Sequence, residues 1–447
     1  MAERLVTESA DPPPAGGGFI GRVMDSPMPA MIMLLALLSG CVALWLTPRE
    51  EEPQIVVPVA DVIVNAPGLS AEQVERQIAV PLEKLLHQID GVEYVYSASQ
   101  SGGCVVTVRF FVGEDREQSL FKIYNKIFSG SDQIPAAVES WVVKPNEIDD
   151  VPIVVAALWS DDPERFDDHA LRRLAEEIEQ ELQSITATNR VQVSGGRPRQ
   201  IRVELDPEAL ASRRTVALDV AWAIQVSNQQ LPAGRIDQRN RSIVIDAGTF
   251  LNDAETLRKM VVNVVDGVPV QLGDVARVID GPSEPEDYTW IGFGPAAGER
   301  AADGGVFPAV FISVAKQKGS NAVWVARDVQ RRLAELEQNV FPPGVHVRII
   351  RDYGQTADQK VNDLVSSLGV AVLTVVVFIG VFLGWRPAVV VGLAVPICYG
   401  VALGLDLLGG YTINRVTLFA LILALGLLVD DPITGVDNIE RFFRMGG

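Results

Sequence analysis

The sequence predicts an α+β membrane protein, a bundle of transmembrane helices carrying two tandem βαββαβ units of ferredoxin-like order, the second interrupted by an inserted subdomain. Three observations predict it. The 447 residues are 48% hydrophobic with a mean hydropathy of +0.20, too apolar for a disordered acidic chain and too long for one soluble core. Charge is absent from four apolar runs and gathers between the first and second of them. That charged stretch passes twice through the same order of strand and helix patterns.

The apolar runs set the membrane elements. No charge occurs between Asp25 and Arg49 or between Asp363 and Arg386, and each interval is long enough to cross about 30 Å of hydrocarbon at 1.5 Å per residue. They give spans at 29–47 and 363–385. A third span follows at 387–408. The fourth, 416–436, crosses only if Asp430 and Asp431 lie inside the bilayer. The segment 1–28 carries Glu3, Glu8, Asp11 and Asp25 against Arg4 and Arg22, with no basic n-region and no clean A-x-A site, so the first run reads as an uncleaved anchor. Arg22, Arg386, Arg441 and Arg444 on one side against Arg415 on the other place both ends inside by the positive-inside rule. The region between spans one and two then lies outside the cytoplasm, in a bacterial periplasm. The segment 437–447 starts a cytoplasmic stretch at which the chain reads as truncated.

Within the outside region, the first copy occupies 48–147. An extended Val57–Val64 leads to a helix at Ser70, where Ser70 and Gln73 form a capping box, and the helix ends at Asp90-Gly91. Strands over Val92–Ser97 and Cys104–Val112, a helix near Gln118–Ile127, a break at Pro135 and a strand at Trp141–Val143 follow. The second copy occupies 148–205 and 306–362. Its helix over Asp168–Ile185 repeats Leu171, Leu174, Ile178 and Leu182 at helical spacing, and strands at Arg190–Val193 and Ile201–Leu205 match the first copy. The remaining strand, helix, proline pair and strand come only at Val306–Val314, Ala322–Val340, Pro342-Pro343 and Val345–Ile350. The intervening 206–305 is a small inserted α+β subdomain.

Composition excludes several functions. With 38 Lys+Arg against 57 Asp+Glu, a net charge of −19 and no basic stripe, the chain is not built to neutralise nucleic-acid phosphates. It has no Gly-Lys pair for a P-loop, no G-x-S-x-G and no H-E-x-x-H, and it reads as a non-enzyme. Cys104 alone lies in the polar region, Cys41 and Cys398 being in apolar runs, so neither an internal disulfide there nor a thiolate zinc site is available. His87, His169 and His346 are isolated in sequence, and no metal site or cofactor is expected.

Asp430 and Asp431 are the sharpest chemical signal. An intramembrane carboxylate costs several kcal/mol when charged and points by default to a proton or ion pathway. Two adjacent carboxyls facing one interior cannot easily ionise together, so such a pair takes up and releases protons in coupled steps. Two other readings stand beside this one: the pair marks the cytoplasmic end of the helix with Pro432 as a kink, or it forms a hard-cation site for sodium or magnesium. No lysine follows Lys360, so a cation pairing with the aspartates at mid-depth comes from outside this chain.

At this point the arrangement resembles the resistance-nodulation-division (RND) family of proton-driven exporters. The resemblance rests on Thr47-Pro-Arg-Glu-Glu-Glu-Pro-Gln-Ile55, Ala66-Pro-Gly-Leu-Ser-Ala-Glu-Gln-Val74, Pro81-Leu-Glu83, Gly91-Val92, Leu425-Gly-Leu-Leu-Val-Asp-Asp431 and Asn438-Ile-Glu-Arg441. It implies that the two units are periplasmic porter subdomains, that the insertion docks to an outer-membrane channel, and that a second half follows. It implies that Asp430 and Asp431 form the proton relay, driven by the proton gradient, and that a homotrimer works with a periplasmic adaptor (membrane fusion) protein and the channel to expel small amphiphilic compounds across the inner membrane. The adjacent acids resemble the hydrophobe/amphiphile exporters. Substrate-binding residues stay unassigned. Pro432 stands where the family has a small residue, Asp437 where it has Glu, and no Phe cluster follows Asp150. A protein-export auxiliary of the same plan and a non-transporting fragment are the alternatives.

Overall fold

A computed structural model describes residues 26–445 apart from 54, 56, 147, 239–240 and 296–304. Residues 1–25 of the expected cytoplasmic segment, and the last two residues, lie outside that range.

The region between the first and second apolar helices begins with β1 (Val59–Asn65) and a helical stretch in three pieces, α2 (Ala71–Val74), a π segment at Glu75–Ala79 and α3 (Val80–Leu86). The capping box forms as the sequence predicts. Ser70 Oγ accepts from the Gln73 amide at 3.3 Å, and Gln73 Oε1 accepts from the Ser70 amide at 2.9 Å. The wide π turn ends two residues before Pro81, which has no N–H to donate back into the helix. Then come β2 (Val92–Gln100), β3 (Gly103–Phe110), α4 (Arg116–Ser129) and β4 (Ser140–Asn146). The strands lie in the antiparallel order β2-β3-β1-β4. Ala60, Val62 and Val64 on β1 alternate inward with Val106, Val108 and Phe110 on β3, against Val74, Ile78 and Leu86 of the first helices and Ile123 and Ile127 of α4.

The second unit opens with β5 (Pro152–Ser160), α5 (Asp168–Gln183) and β6 (Thr188–Ser194), and closes with β14 (Val306–Lys316), α9 (Ala322–Asn339) and β15 (Val345–Asp352). Both β6 and β5 pair with β14, and β15 pairs with β5, so the order β6-β14-β5-β15 repeats that of the first unit. Leu171, Ala175, Ile178 and Leu182 of α5 and Val325, Val329, Leu333 and Leu336 of α9 cover one face of this sheet.

The boundary of the insertion differs from the sequence expectation. The strand expected to match the first copy at Ile201–Leu205 is β7 (Arg199–Leu205), and it pairs with β12 (Ala276–Pro282) instead of joining the β5 sheet. The inserted chain therefore departs before Arg199, at Gly195 and Gly196, whose φ values of 81° and 67° turn it away. A Cβ on Gly196 would stand 2.6 Å from the Asp168 carbonyl oxygen. Arg197 fastens the exit with a bidentate pair to Asp168, Nη2–Oδ1 2.7 Å and Nε–Oδ2 2.8 Å. Between β7 and β12 lie α6 (Pro207–Ser212), α7 (Ala217–Ser227), the hairpin β8 (Gln229–Gln238) and β9 (Arg241–Thr249), α8 (Ala254–Arg258), and the short pair β10 (Val261–Val265) and β11 (Val268–Gln271). The subdomain has its own core around Leu210, Val220, Leu257, Leu272 and Val278. The β8–β9 hairpin stands clear of it, with Leu231, Ile236, Ile243 and Val244 exposed.

Among the described residues, four helices are long and apolar enough to cross a membrane. They are α1 (Met28–Leu46), α10 (Tyr353–Phe382), α11 (Trp385–Leu408) and α12 (Arg415–Met445), the apolar part of the last running to Ile439. Two of these differ from the expected bounds. The second span stops at Phe382 because Gly384, at φ 102°, turns the chain directly into α11, and it begins ten residues early because Asp352 caps it straight out of β15. The fourth runs unbroken past 436, so residues 437–445 continue the helix. Helices α1 and α11 meet through small residues: a Cβ on Gly40 would lie 2.5 Å from the Gly400 Cα. Such close approach is how helices associate where lipid competes for every apolar side chain.

Candidate functional site

Asp430 and Asp431 lie in the interior of α12, fifteen residues past its start at Arg415, about 22 Å along the axis at 1.5 Å per residue. The Thr434 hydroxyl donates to the Asp430 carbonyl oxygen at 2.9 Å, and Pro432 follows the pair without interrupting the helix. Proline withholds the N–H that Leu428 C=O would otherwise accept, which loosens the ladder at the level of the acids.

Packing fixes which way the acids face. Leu418 and Leu421 join a cluster with Ala43 of α1, Val361 and Leu364 of α10 and Leu403 of α11. Further along, Ile433 and Val436 join Ile379, Leu383, Ala388 and Val391 around the α10–α11 turn. At about 100° per residue these four positions fall on one side of α12, and Asp430 and Asp431 both fall on the opposite half. Both acids are exposed on this chain. Among the described residues no side chain pairs with either carboxylate, and no group of three or more His, Cys, Asp or Glu gathers to hold a metal ion.

The other polar feature of the bundle lies elsewhere. The Tyr399 hydroxyl of α11 donates to the Leu421 carbonyl oxygen of α12 at 2.5 Å, tying the two helices on the side where they touch. Beside it is a cavity of about 160 Å³ lined by Leu37, Cys41, Leu368, Pro396 and Leu421, among others, without a charged residue. An apolar cavity offers a proton no relay, so the acids and the cavity are separate features.

A second feature was not found from the sequence. On the face of the second unit's sheet turned away from its helices, Ala157 and Trp159 of β5 and Ala309 of β14 are buried under a returning segment that ends in β13 (Trp290–Gly292). Trp159 meets Phe293 at 4.9 Å, Phe307 at 5.1 Å and His346 at 5.0 Å between ring centroids, with Phe311 packed alongside. Tyr288 and Trp290 stack at 5.6 Å and stay exposed at the rim. His346 sits between Asp161, 3.3 Å from Nε2, and Glu337, 3.8 Å from Nδ1. The absence of a Phe cluster directly after Asp150 was thus a local observation. Phe293 falls inside the expected 206–305 insertion, but the inserted chain has already returned after β12, with β13 paired to β14, so Phe293 joins Phe307 and Phe311 of β14 against Trp159. One signal was readable: Ile153-Val154-Val155-Ala156-Ala157-Leu158-Trp159 is apolar without alternation, the pattern of a strand covered on both faces.

Residues 20–447 match the AcrB/AcrD/AcrF family. The chain is 28% identical over 434 residues to "Multidrug resistance protein MdtC" of Yersinia pseudotuberculosis serotype O:1b (strain IP 31758), and equally to that of Yersinia pestis bv. Antiqua (strain Angola). Each alignment covers 96% of this chain and 40% of the relative, so the chain spans about 40% of the length of the curated relatives it matches.

Proposed function

Because the chain belongs to the AcrB/AcrD/AcrF family of RND efflux permeases, we propose that it forms the N-terminal part of a proton-driven exporter of hydrophobic or amphiphilic compounds in the inner membrane. One observation carries the reading: the adjacent carboxyls of Asp430 and Asp431 stand on the side of α12 that this chain's own helices leave open. Each would cost about 2.5–3.5 kcal/mol if it faced lipid charged. A cation on a helix from outside this chain removes that cost, and a proton removes it equally well. The pair therefore alternates between a cation-paired and a protonated state, and each state favours a different packing of α12.

The two units with the strand order β2-β3-β1-β4 and β6-β14-β5-β15 act as ferredoxin-like porter subdomains in the periplasm, and the insertion docks to an outer-membrane channel. Support for assembly comes from the exposed β8–β9 hairpin, whose apolar residues suit a neighbouring copy in a homotrimer. A periplasmic adaptor completes the pump. Substrate meets the aromatic face around Trp159, Phe293 and Phe307, where rings bind apolar ligands without demanding one shape. The relatives' printed name, a multidrug resistance protein, agrees with that breadth.

The test is efflux of a fluorescent amphiphile driven by a pH gradient, in vesicles holding the complete transporter. Asp430→Asn and Asp431→Asn are expected to abolish efflux at equal protein level while membrane insertion and assembly persist. Retained efflux in both variants would return the acids to a structural role. Wild-type protein without efflux would favour an export auxiliary or a non-transporting fragment.

A further inference from the structure

The run Arg49-Glu50-Glu51-Glu52 after α1 has the composition of a solvated charge patch, yet its residues are tied on two sides. Towards the membrane it runs beside the α11–α12 loop in a parallel bridge of Arg49 with Ile413. The Ile413 amide donates to the Pro48 carbonyl at 2.9 Å, the Glu50 amide to the Ile413 carbonyl at 3.0 Å, and the Arg415 amide to the Glu51 carbonyl at 3.1 Å. Arg415, the first residue of α12, also reaches Glu52 Oε1 with Nη2 at 2.7 Å. The outer end of the acid-bearing helix is thereby fastened to this run.

Towards the second unit the same run makes three more ties. Arg49 Nη1 pairs with Asp358 Oδ1 of α10 at 2.7 Å, and Asp358 also accepts from Arg327 of α9 at 3.0 Å. The Ala322 amide, at the start of α9, donates to the Arg49 carbonyl at 3.0 Å. Glu50 Oε1 pairs at 3.0 Å with Nζ of Lys316, the last residue of β14, and these two side chains are only 3% and 6% exposed. Burial pushes the Glu50 carboxyl above the usual carboxylate range, the loss of water outweighing the attraction of Lys316.

A buried ion pair is a poor way to gain stability, since apolar residues of similar volume do as well or better. What it does supply is directional register, because each of the two buried charges has the other as its ion-pair partner, with the Gln317 carbonyl oxygen, 3.4 Å from Lys316 Nζ, as a further acceptor on the adjoining residue. β14 is also the strand that carries Phe307 and Phe311 on its outer face. We propose that Glu50 and Lys316, with the Arg49–Asp358 pair beside them, are positioning residues that make a movement of α12 at Asp430 and Asp431 felt by β14 and hence by the aromatic face. This rests on the proton-relay reading. It goes beyond it by naming the route, which runs from the rigid outer end of α12 through four residues of linker into the central sheet of the second unit.

Hydrogen exchange across residues 306–316 of the complete transporter, purified in lipid nanodiscs, tests the link. The Asp430→Asn/Asp431→Asn pair stands in for protonation, and its effect is read with the link intact, neutralised by Glu50→Gln/Lys316→Met, and reversed in polarity by Glu50→Lys/Lys316→Glu. The aspartate substitutions are expected to change exchange across 306–316 with the link intact, to lose that effect in the neutralised variant, and to regain it in the reversed one. Exchange in β1–β4 reports whether each variant is folded, and Lys316→Arg, which keeps the charge, is expected to preserve the response if the double variants do not fold. The same response with and without the link would overturn the coupling alone. No response with the link intact would overturn the relay reading, and the coupling with it.

Discussion

The two units share one strand order and differ in what they do with the second face of the sheet. In the first unit that face is polar and partly wet. Asp61 of β1 accepts from Thr107 of β3 at 2.5 Å and from Asn146 of β4 at 2.7 Å, Arg109 pairs with Glu93 at 3.1 Å, and Tyr94 and Tyr96 are each 50% exposed. In the second unit the equivalent face is apolar and roofed by the segment that returns from the insertion. The same topology thus serves once as a one-sided layer and once as a layer covered on both faces. The difference lies in the side chains of alternate strand positions, where the residue type on the outer face decides between contact with water and contact with a covering apolar layer.

The largest expected effect breaks the packing beneath the second unit's roof. Trp159→Ala removes the ring that three other rings pack against, and is expected to cost about 3–5 kcal/mol, read as faster global exchange of the β5–β14–β15 amides. Tyr96→Ala, on the open face of the first unit, is expected to change stability by less than about 0.5 kcal/mol. Equal losses would erase the distinction between the faces. Next in size is Asp61→Ala, which strands the partners of two hydrogen bonds on the first unit's wet face and is expected to cost about 1–2 kcal/mol in denaturant unfolding.

Helix caps are alike in the two units at a smaller scale, because both start their first long helix with a side-chain acceptor. Ser70→Ala in the first and Asp167→Ala in the second are each expected to cost about 1 kcal/mol, seen as fraying confined to the respective helix. The smallest effect is conditional on pH. The Arg197 guanidinium holds the Asp168 carboxyl below the usual carboxylate range by hydrogen bonding first and by charge second. A lowered pKa contributes stability that is present above the ordinary value, about 3.9, and is lost as pH falls through the depressed one. The melting-temperature gap between wild type and Asp168→Asn should therefore be open at pH 7 and close below about pH 4. The first unit, with no bidentate Arg pair at the matching place among the described residues, should show no such closing gap.

Much of this was legible in residue order. The spans followed from charge-free length, the Ser70–Gln73 cap from two residue types three apart, and the α5 face from Leu171, Ile178 and Leu182. What was misread depends on pairing that sequence neighbours do not determine. The Arg199–Leu205 strand looks like a continuation of the second unit, and only its partner β12, more than seventy residues later, shows that it belongs to the insertion. The aromatic face fails for the same reason, its rings lying on both sides of the inserted chain. The acids were visible at once because a carboxylate in an apolar run contradicts its surroundings. Their direction was not, since it depends on which side of α12 Leu418, Leu421, Ile433 and Val436 present to the other helices.

Proton coupling at Asp430 and Asp431 is read most directly as proton movement evoked by substrate in proteoliposomes of the complete transporter, with a pH-sensitive dye on one side. Adding an amphiphile to wild-type protein is expected to move protons, Asp430→Asn and Asp431→Asn to stop the movement while binding of the amphiphile persists, and Trp159→Ala to weaken binding but leave coupling of the residual transport intact. Proton movement that survives in both aspartate variants would contradict coupling at these two acids.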